Sequence, residues 1–134
     1  MRYISELNDT GDVDVALEGI IGYALDGPPL GEAVQLIRWA NLCVAPTIAL
    51  DVPSGVGATA GIADDPSIQA TVTLTLAVPK IGLRQRSAAA AVGELYIADI
   101  GIPPPVLARA GIDSAQGLFA TEEIIRISMH RIQT

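Results

Sequence analysis

The stretch Thr47-Ile48-Ala49-Leu50-Asp51-Val52-Pro53-Ser54-Gly55 decides how the rest of this chain is read. Residues 47–52 are mostly apolar with β-branched members, which predicts a buried parallel strand. Asp51 falls near the carboxyl end of that strand. Pro53 has no N–H for a ladder hydrogen bond and stops it. Ser54-Gly55 then predicts a tight turn, a hydroxyl beside a residue free to take positive φ. In open α/β sheets ligands collect outside the carboxyl ends of the strands. A carboxylate and a hydroxyl three residues apart at such an end can hold a hard cation or sugar hydroxyls. The plainer alternative is a strand end at which Asp51 caps its own turn, and this segment alone leaves both open.

Composition bounds the rest. A chain of 134 residues is expected to form one domain, residues 1–134, with a single core. Half of it is hydrophobic, which excludes a disordered polymer, and the scarcity of aromatics requires an aliphatic core. The net charge of -7 argues against nucleic acid or an anionic membrane as main partner. Cys43 is the lone cysteine, so no internal disulfide is possible and a cytoplasmic setting is the default expectation. It lies in the apolar run Leu42-Cys43-Val44-Ala45, where an inert buried thiol is expected. No apolar run approaches bilayer length, and Met1-Arg2-Tyr3-Ile4-Ser5-Glu6 does not read as a signal peptide.

Outward from the centre, residues 1–7 read as a possible short strand and residues 8–12 as a turn. Residues 13–17 predict a strand with Val13, Val15 and Leu17 on one face. Asp12, Asp14 and Glu18 fall on the other, as suits a sheet edge. Gly22-Tyr23-Ala24-Leu25-Asp26-Gly27-Pro28 forms a Gly- and Pro-punctuated loop. It is either a connector or a place where backbone N–H groups approach a ligand. Ala33, Leu36, Ile37 and Ala40 recur at helical spacing and predict a helix over 30–41, with Trp39 packing beside the stripe.

Beyond the centre, residues 69–78 alternate cleanly and predict a strand, with Val72, Leu74 and Leu76 on one side and Thr71, Thr73 and Thr75 on the other. Lys80 follows it, read as a solvated loop lysine or as a phosphate attractor. A small-residue helical turn is expected over 87–92, a strand over 94–100 and one helical turn over 106–110. Thr121 with Glu122 and Glu123 predicts the start of a last helix carrying Ile124, Ile125, Ile127 and Ile132. His130 has no histidine or cysteine beside it and reads as helix-terminal rather than as a metal ligand. One good helix cannot cover both faces of a parallel sheet, so a cover from elsewhere is expected.

Four segments then stand together: Leu50-Asp51-Val52-Pro53-Ser54-Gly55-Val56, Ala70-Thr71-Val72-Thr73, Pro79-Lys80-Ile81-Gly82-Leu83, and Gly93-Glu94-Leu95-Tyr96-Ile97-Ala98-Asp99-Ile100-Gly101-Ile102-Pro103. In order and spacing they resemble the YjeF amino-terminal domain, the NAD(P)HX epimerase family, also known as the apolipoprotein A-I-binding protein family. The resemblance covers about residues 12–107, the family's C-terminal half. It implies a Rossmann-like three-layer α/β/α fold with a mainly parallel sheet, here incomplete. It implies an isomerase that interconverts the R and S epimers of hydrated NADH and NADPH, a metabolite-repair reaction, with a potassium ion beside the dinucleotide. By motif position, Asp51 is the candidate catalytic and substrate-contacting residue. Gly22, Tyr23, Ala24, Leu25, Asp26, Gly27 and Pro28 would line the substrate's phosphates, and Glu18 and Ser54 would hold the potassium.

The chain departs from the family pattern in four places. It has no Asn-Asn-Gly-Gly-Asp-Gly loop; Glu18 stands for an aspartate; Tyr23-Ala24 stands for Thr-Gly; and Gly57 stands for an aspartate. The absent loop predicts that catalysis requires a missing N-terminal half on another chain, or a homo-oligomer. The competing expectation is a non-catalytic half-domain that acts by self-association or partner binding.

Overall fold

A computed structural model describes residues 13–112 and 117–128. The expected strand and turn in residues 1–12, and His130, lie outside them. The described chain forms a five-stranded sheet in the order β1-β2-β3-β4-β5. β1 is Ala16–Glu18, β2 Thr47–Leu50, β3 Val72–Leu76, β4 Glu94–Ala98 and β5 Ile124–Arg126. The first four strands run parallel, and β5 runs antiparallel to β4. Thus 47–50 and 72–76 lie side by side and co-directional, in the register Ile48 to Val72. This is the mainly parallel α/β sheet that the central strand implied.

Each parallel neighbour requires a crossover. The helix α1, Glu32–Leu42, makes the first. A loop over 51–71, pinned by the Val56–Ala63 bridge, makes the second. Two 3-10 turns, Ile81–Arg84 and Arg86–Ala88, and the short helix α2, Ala89–Val92, make the third. Every crossover steps one strand in the same direction. With the usual right-handed connection all three must land on one face. The core is built there: Ile37 of α1 packs with Ala49, Ile68 and Ala70, while Val52, Val56, Leu83, Ala88, Ala91 and Val92 pack with Leu95.

Register then fixes which strand residues are buried. Glu18, Ala49, Thr73 and Leu95 share the covered face, and Thr75 and Ile97 continue it. All six are buried. The opposite face carries Leu17, Ile48, Leu50, Val72, Leu74 and Leu76, and among the described residues no element lies over it. Leu17 is 63% exposed, Leu50 41% and Ile124 54%. Of three layers, the described residues provide the sheet and one cover.

Two expectations are corrected. Glu18, read as part of an outward charged face, is 4% exposed. The alternation was right, but the acidic side of β1 faces the cover and Leu17 faces out. The predicted last helix is instead β5 and its flanks. Ile124 and Ile125 are β-branched, and the open edge of β4 offers ladder partners that a lone helix there would leave unpaired. The helical turn expected over 106–110 forms within helix α3, Pro104–Arg109, which starts two residues earlier.

Candidate functional site

The carboxyl ends of β1, β2 and β3 lie together, and two polar clusters form there. The first centres on Asp51. This residue directly follows β2 and takes a left-handed backbone, φ 64°. Aspartate tolerates that region better than most residues, at roughly 1–2 kcal/mol for an ordinary L-residue. The twist sends its N–H to Leu74 O at 2.9 Å and its side chain across the end of β3. Oδ1 accepts from Leu76 N–H at 3.0 Å, from the Thr75 hydroxyl at 3.3 Å, and from the Lys80 ammonium. Lys80 also donates to Leu76 O at 2.8 Å. The side chains are 25% and 13% exposed respectively, so the pair is largely withdrawn from water yet reachable. Oδ2 accepts no hydrogen bond among the described residues.

The second cluster joins Glu18 to Ser54. Glu18 Oε1 accepts from Ile20 N–H at 2.8 Å and from the Ser54 hydroxyl, and Oε2 accepts from Ser54 N–H at 3.3 Å. Ser54 Oγ accepts from Ile21 N–H at 2.7 Å and lies 3.0 Å from the Ile21 carbonyl. The turn that presents Ser54 needs Gly55. Its φ is 90°, and a Cβ there would stand 2.6 Å from Pro66 O. Among the described residues no lysine or arginine pairs with the buried Glu18. The donor set is all oxygen with one negative charge, which fits a hard cation held by Glu18, Ser54 and the Ile21 carbonyl.

The expected residues therefore meet in part. Glu18 and Ser54 are in direct contact. Asp51 is three residues from Ser54 but bonds elsewhere. The loop of Gly22, Tyr23, Ala24, Leu25, Asp26, Gly27 and Pro28 leaves the carboxyl end of β1 and is anchored at its root through Ile20 and Ile21. It makes no hydrogen bond to Asp51 among the described residues, and Tyr23 is exposed. Lys80, read as a solvated loop lysine or a phosphate attractor, is paired with Asp51, a contact the sequence reading did not foresee. Its signal was its place just past a strand end, beside Pro79. A shallow groove of about 380 Å³ near Arg38, Asn41 and Asp65 is lined by none of the residues of either cluster.

Residues 2–82 match the family described as YjeF-related protein N-terminus. The chain belongs to the YjeF N-terminal family. YjeF relatives include a protein of Dehalogenimonas lykanthroporepellens named NAD(P)H-hydrate epimerase, 42% identical over 120 residues, which span 90% of this chain and 47% of that one. A protein of the same name from Weissella koreensis is 36% identical over 105 residues, 76% of this chain and 46% of that one. A Moorella thermoacetica protein named bifunctional NAD(P)H-hydrate repair enzyme Nnr is 39% identical over 95 residues, 71% of this chain and 18% of that one. The chain thus spans about half the length of the two epimerase relatives. The crystal structure of yeast ynu0 superposes with a TM-score of 0.66 at 19% identity, covering 89% of this chain and 49% of the yeast chain. That likeness shows the fold alone.

Proposed function

We propose that this YjeF chain contributes the acid–base half of an NAD(P)H-hydrate epimerase site. The Asp51–Lys80 pair at the strand ends carries this reading. Inverting the hydrated ring carbon requires its hydroxyl to leave and water to return on the other face. The ring nitrogen's electron pair supports the cation between. Lys80 can lend a proton to the departing oxygen, and the unused Asp51 Oδ2 can take one from the water that adds. The proton returns to Lys80 within the ion pair, so the pair ends as it began. Gly22, Tyr23, Ala24, Leu25, Asp26, Gly27 and Pro28 are assigned to the dinucleotide's phosphates. Glu18 and Ser54 are assigned to a potassium ion, which would supply fixed positive charge beside an anionic ligand. A cytoplasmic setting belongs to the same reading. So does a cover for the bare sheet face, either a second copy of this chain or a separate polypeptide equivalent to the rest of the relatives' length. No helix among the described residues is long and apolar enough to cross a membrane.

The test follows conversion of the purified R epimer of hydrated NADH to S by chromatography, in potassium and in lithium salts. Conversion above the spontaneous rate, lost in Asp51→Asn and Lys80→Met, is the expected result. A folded chain that neither converts the epimer nor binds NADPH, alone or at high concentration, ends the enzymatic reading. The half-domain that acts by association would then remain.

A further inference from the structure

Beside the Asp51–Lys80 pair lies a recess of about 250 Å³ that none of the residues assigned above lines. It opens at the carboxyl ends of β3 and β4, between α3 and the segment before β5. Ala77, Ile102, Leu107 and Phe119 supply apolar walls, and among the described residues Asp99 is the one charged residue lining it. Phe119 is the only phenylalanine in the sequence. Ala77 sits on the wall in a left-handed backbone, φ 63°. Glycine would adopt that conformation freely, whereas alanine holds it against about 1–2 kcal/mol and keeps a methyl on the wall. Its neighbour Leu76 is the residue whose N–H binds Asp51 and whose carbonyl binds Lys80. The recess and the ion pair are therefore two sides of one strand-end turn.

Asp99 is fixed by its own loop. Oδ1 accepts from Gly101 N–H at 2.8 Å, and its backbone N–H is spent on Glu123 O. Its second carboxylate oxygen accepts no hydrogen bond among the described residues. Apolar walls with one oriented carboxylate acceptor fit a flat ring that carries an N–H donor. The volume is at the small end for ligand pockets and suits one ring, not a whole dinucleotide.

We propose that this recess is a ring subsite for a nitrogen heterocycle bearing an exocyclic NH2 group, with Leu107 and Phe119 against its faces and Asp99 accepting from the NH2. The proposal rests on the dinucleotide reading above. Both ends of a dinucleotide, the pyridine carboxamide and the adenine, have this chemistry, and the experiment separates them.

The isotope-labelled full chain is titrated by NMR with reduced nicotinamide mononucleotide, with AMP and with NADH. One mononucleotide is expected to shift Ala77, Leu107 and Phe119 saturably, which names the ring. Leu107→Trp, which fills the recess, is expected to weaken it at least tenfold, and Asp99→Asn about tenfold, the loss of one charge-assisted hydrogen bond. Circular dichroism checks that both variants fold. If Leu107→Trp does not, Ala77→Gly replaces it. That change relieves strain and removes one wall methyl, and is expected to weaken the mononucleotide about threefold. Unchanged affinity in the folded variants overturns the subsite. So do NADH shifts confined to Asp51 and Lys80, which leave the epimerase reading standing. No shift from any of the three probes ends both.

Discussion

The two faces of the sheet reverse the usual assignment of chemistry to burial. The covered face holds Glu18 and the hydroxyls of Thr73 and Thr75, all buried. The bare face holds leucines, a valine and an isoleucine. What lies over a strand decides its burial, not the polarity of its residues. The covered face can bury hydroxyls because each has a partner: Thr73 Oγ1 donates to Val92 O at 2.7 Å, and Thr75 Oγ1 to Asp51. Apart from its β4–β5 end, where Glu94, Tyr96 and Arg126 pair with one another, the bare face has no polar group to satisfy and gains free energy only when something apolar reaches it. Exposed contiguous apolar surface on a protein of this size marks an interaction surface.

The largest expected effect sets the scale for that contrast. Leu83→Ala empties a fully buried position in the covered core. It is expected to cost about 2–5 kcal/mol in urea unfolding, independent of protein concentration. Leu50→Ala on the bare face is expected to cost under about 1 kcal/mol at low concentration. Equal costs at every concentration would mean the two faces are not different in solution.

Glu18 tests the covered face from its polar side. Glu18→Leu leaves the N–H groups of Ile20 and Ser54 without their acceptor, while the Ser54 hydroxyl keeps the Ile21 carbonyl at 3.0 Å. A loss of about 1–3 kcal/mol per group left unsatisfied bounds the effect. A variant as stable as the parent would show that the buried carboxylate does not hold the turn. Potassium chloride, compared with choline chloride, is expected to raise the parent's melting temperature and leave that of the variant unchanged.

Leu50→Lys sharpens the bare side. Its monomer stability is expected within about 0.5 kcal/mol of the parent, as for most surface changes. Self-association, or capture of a covering polypeptide, is expected to weaken at least tenfold in sedimentation velocity. A parent that sediments as a monomer at every concentration removes the second copy as the cover.

The asymmetry also explains what the sequence revealed and what it hid. Thr47-Ile48-Ala49-Leu50 carried its strand, its direction and the carboxylate at its end, because these are local consequences of β-branching and of Pro53. The edge position of β1 was legible from its alternating charges. Which of its sides was buried was not, because that depends on the loop after β2 bringing Ser54 against Glu18. Lys80 reads as a loop lysine until a left-handed Asp51, 29 residues earlier, turns its carboxylate across β3. The helix expected after Thr121 failed for the same reason: the capping signal is local, whereas the competing partner, the edge of β4, is distant in sequence.

The smallest expected effect lies at the margin between the faces. Arg126 Nη2 donates to Glu94 Oε1 at 3.0 Å, and the Tyr96 hydroxyl donates to Glu94 Oε2 at 3.1 Å. All three residues belong to the bare face, at its β4–β5 end. Both charges are exposed, so Arg126→Ala is expected to cost no more than about 0.2–1 kcal/mol in the isolated chain, less in high salt. A cover over Leu74 and Leu76 would shield this rim from water and strengthen the pair. The same substitution should then cost more as protein concentration rises, and the salt dependence should fade. Urea unfolding of Arg126→Ala over a concentration series, at two ionic strengths, reads this directly. A cost that stays small and salt-screened across a range in which the parent self-associates would place the contact elsewhere on the molecule.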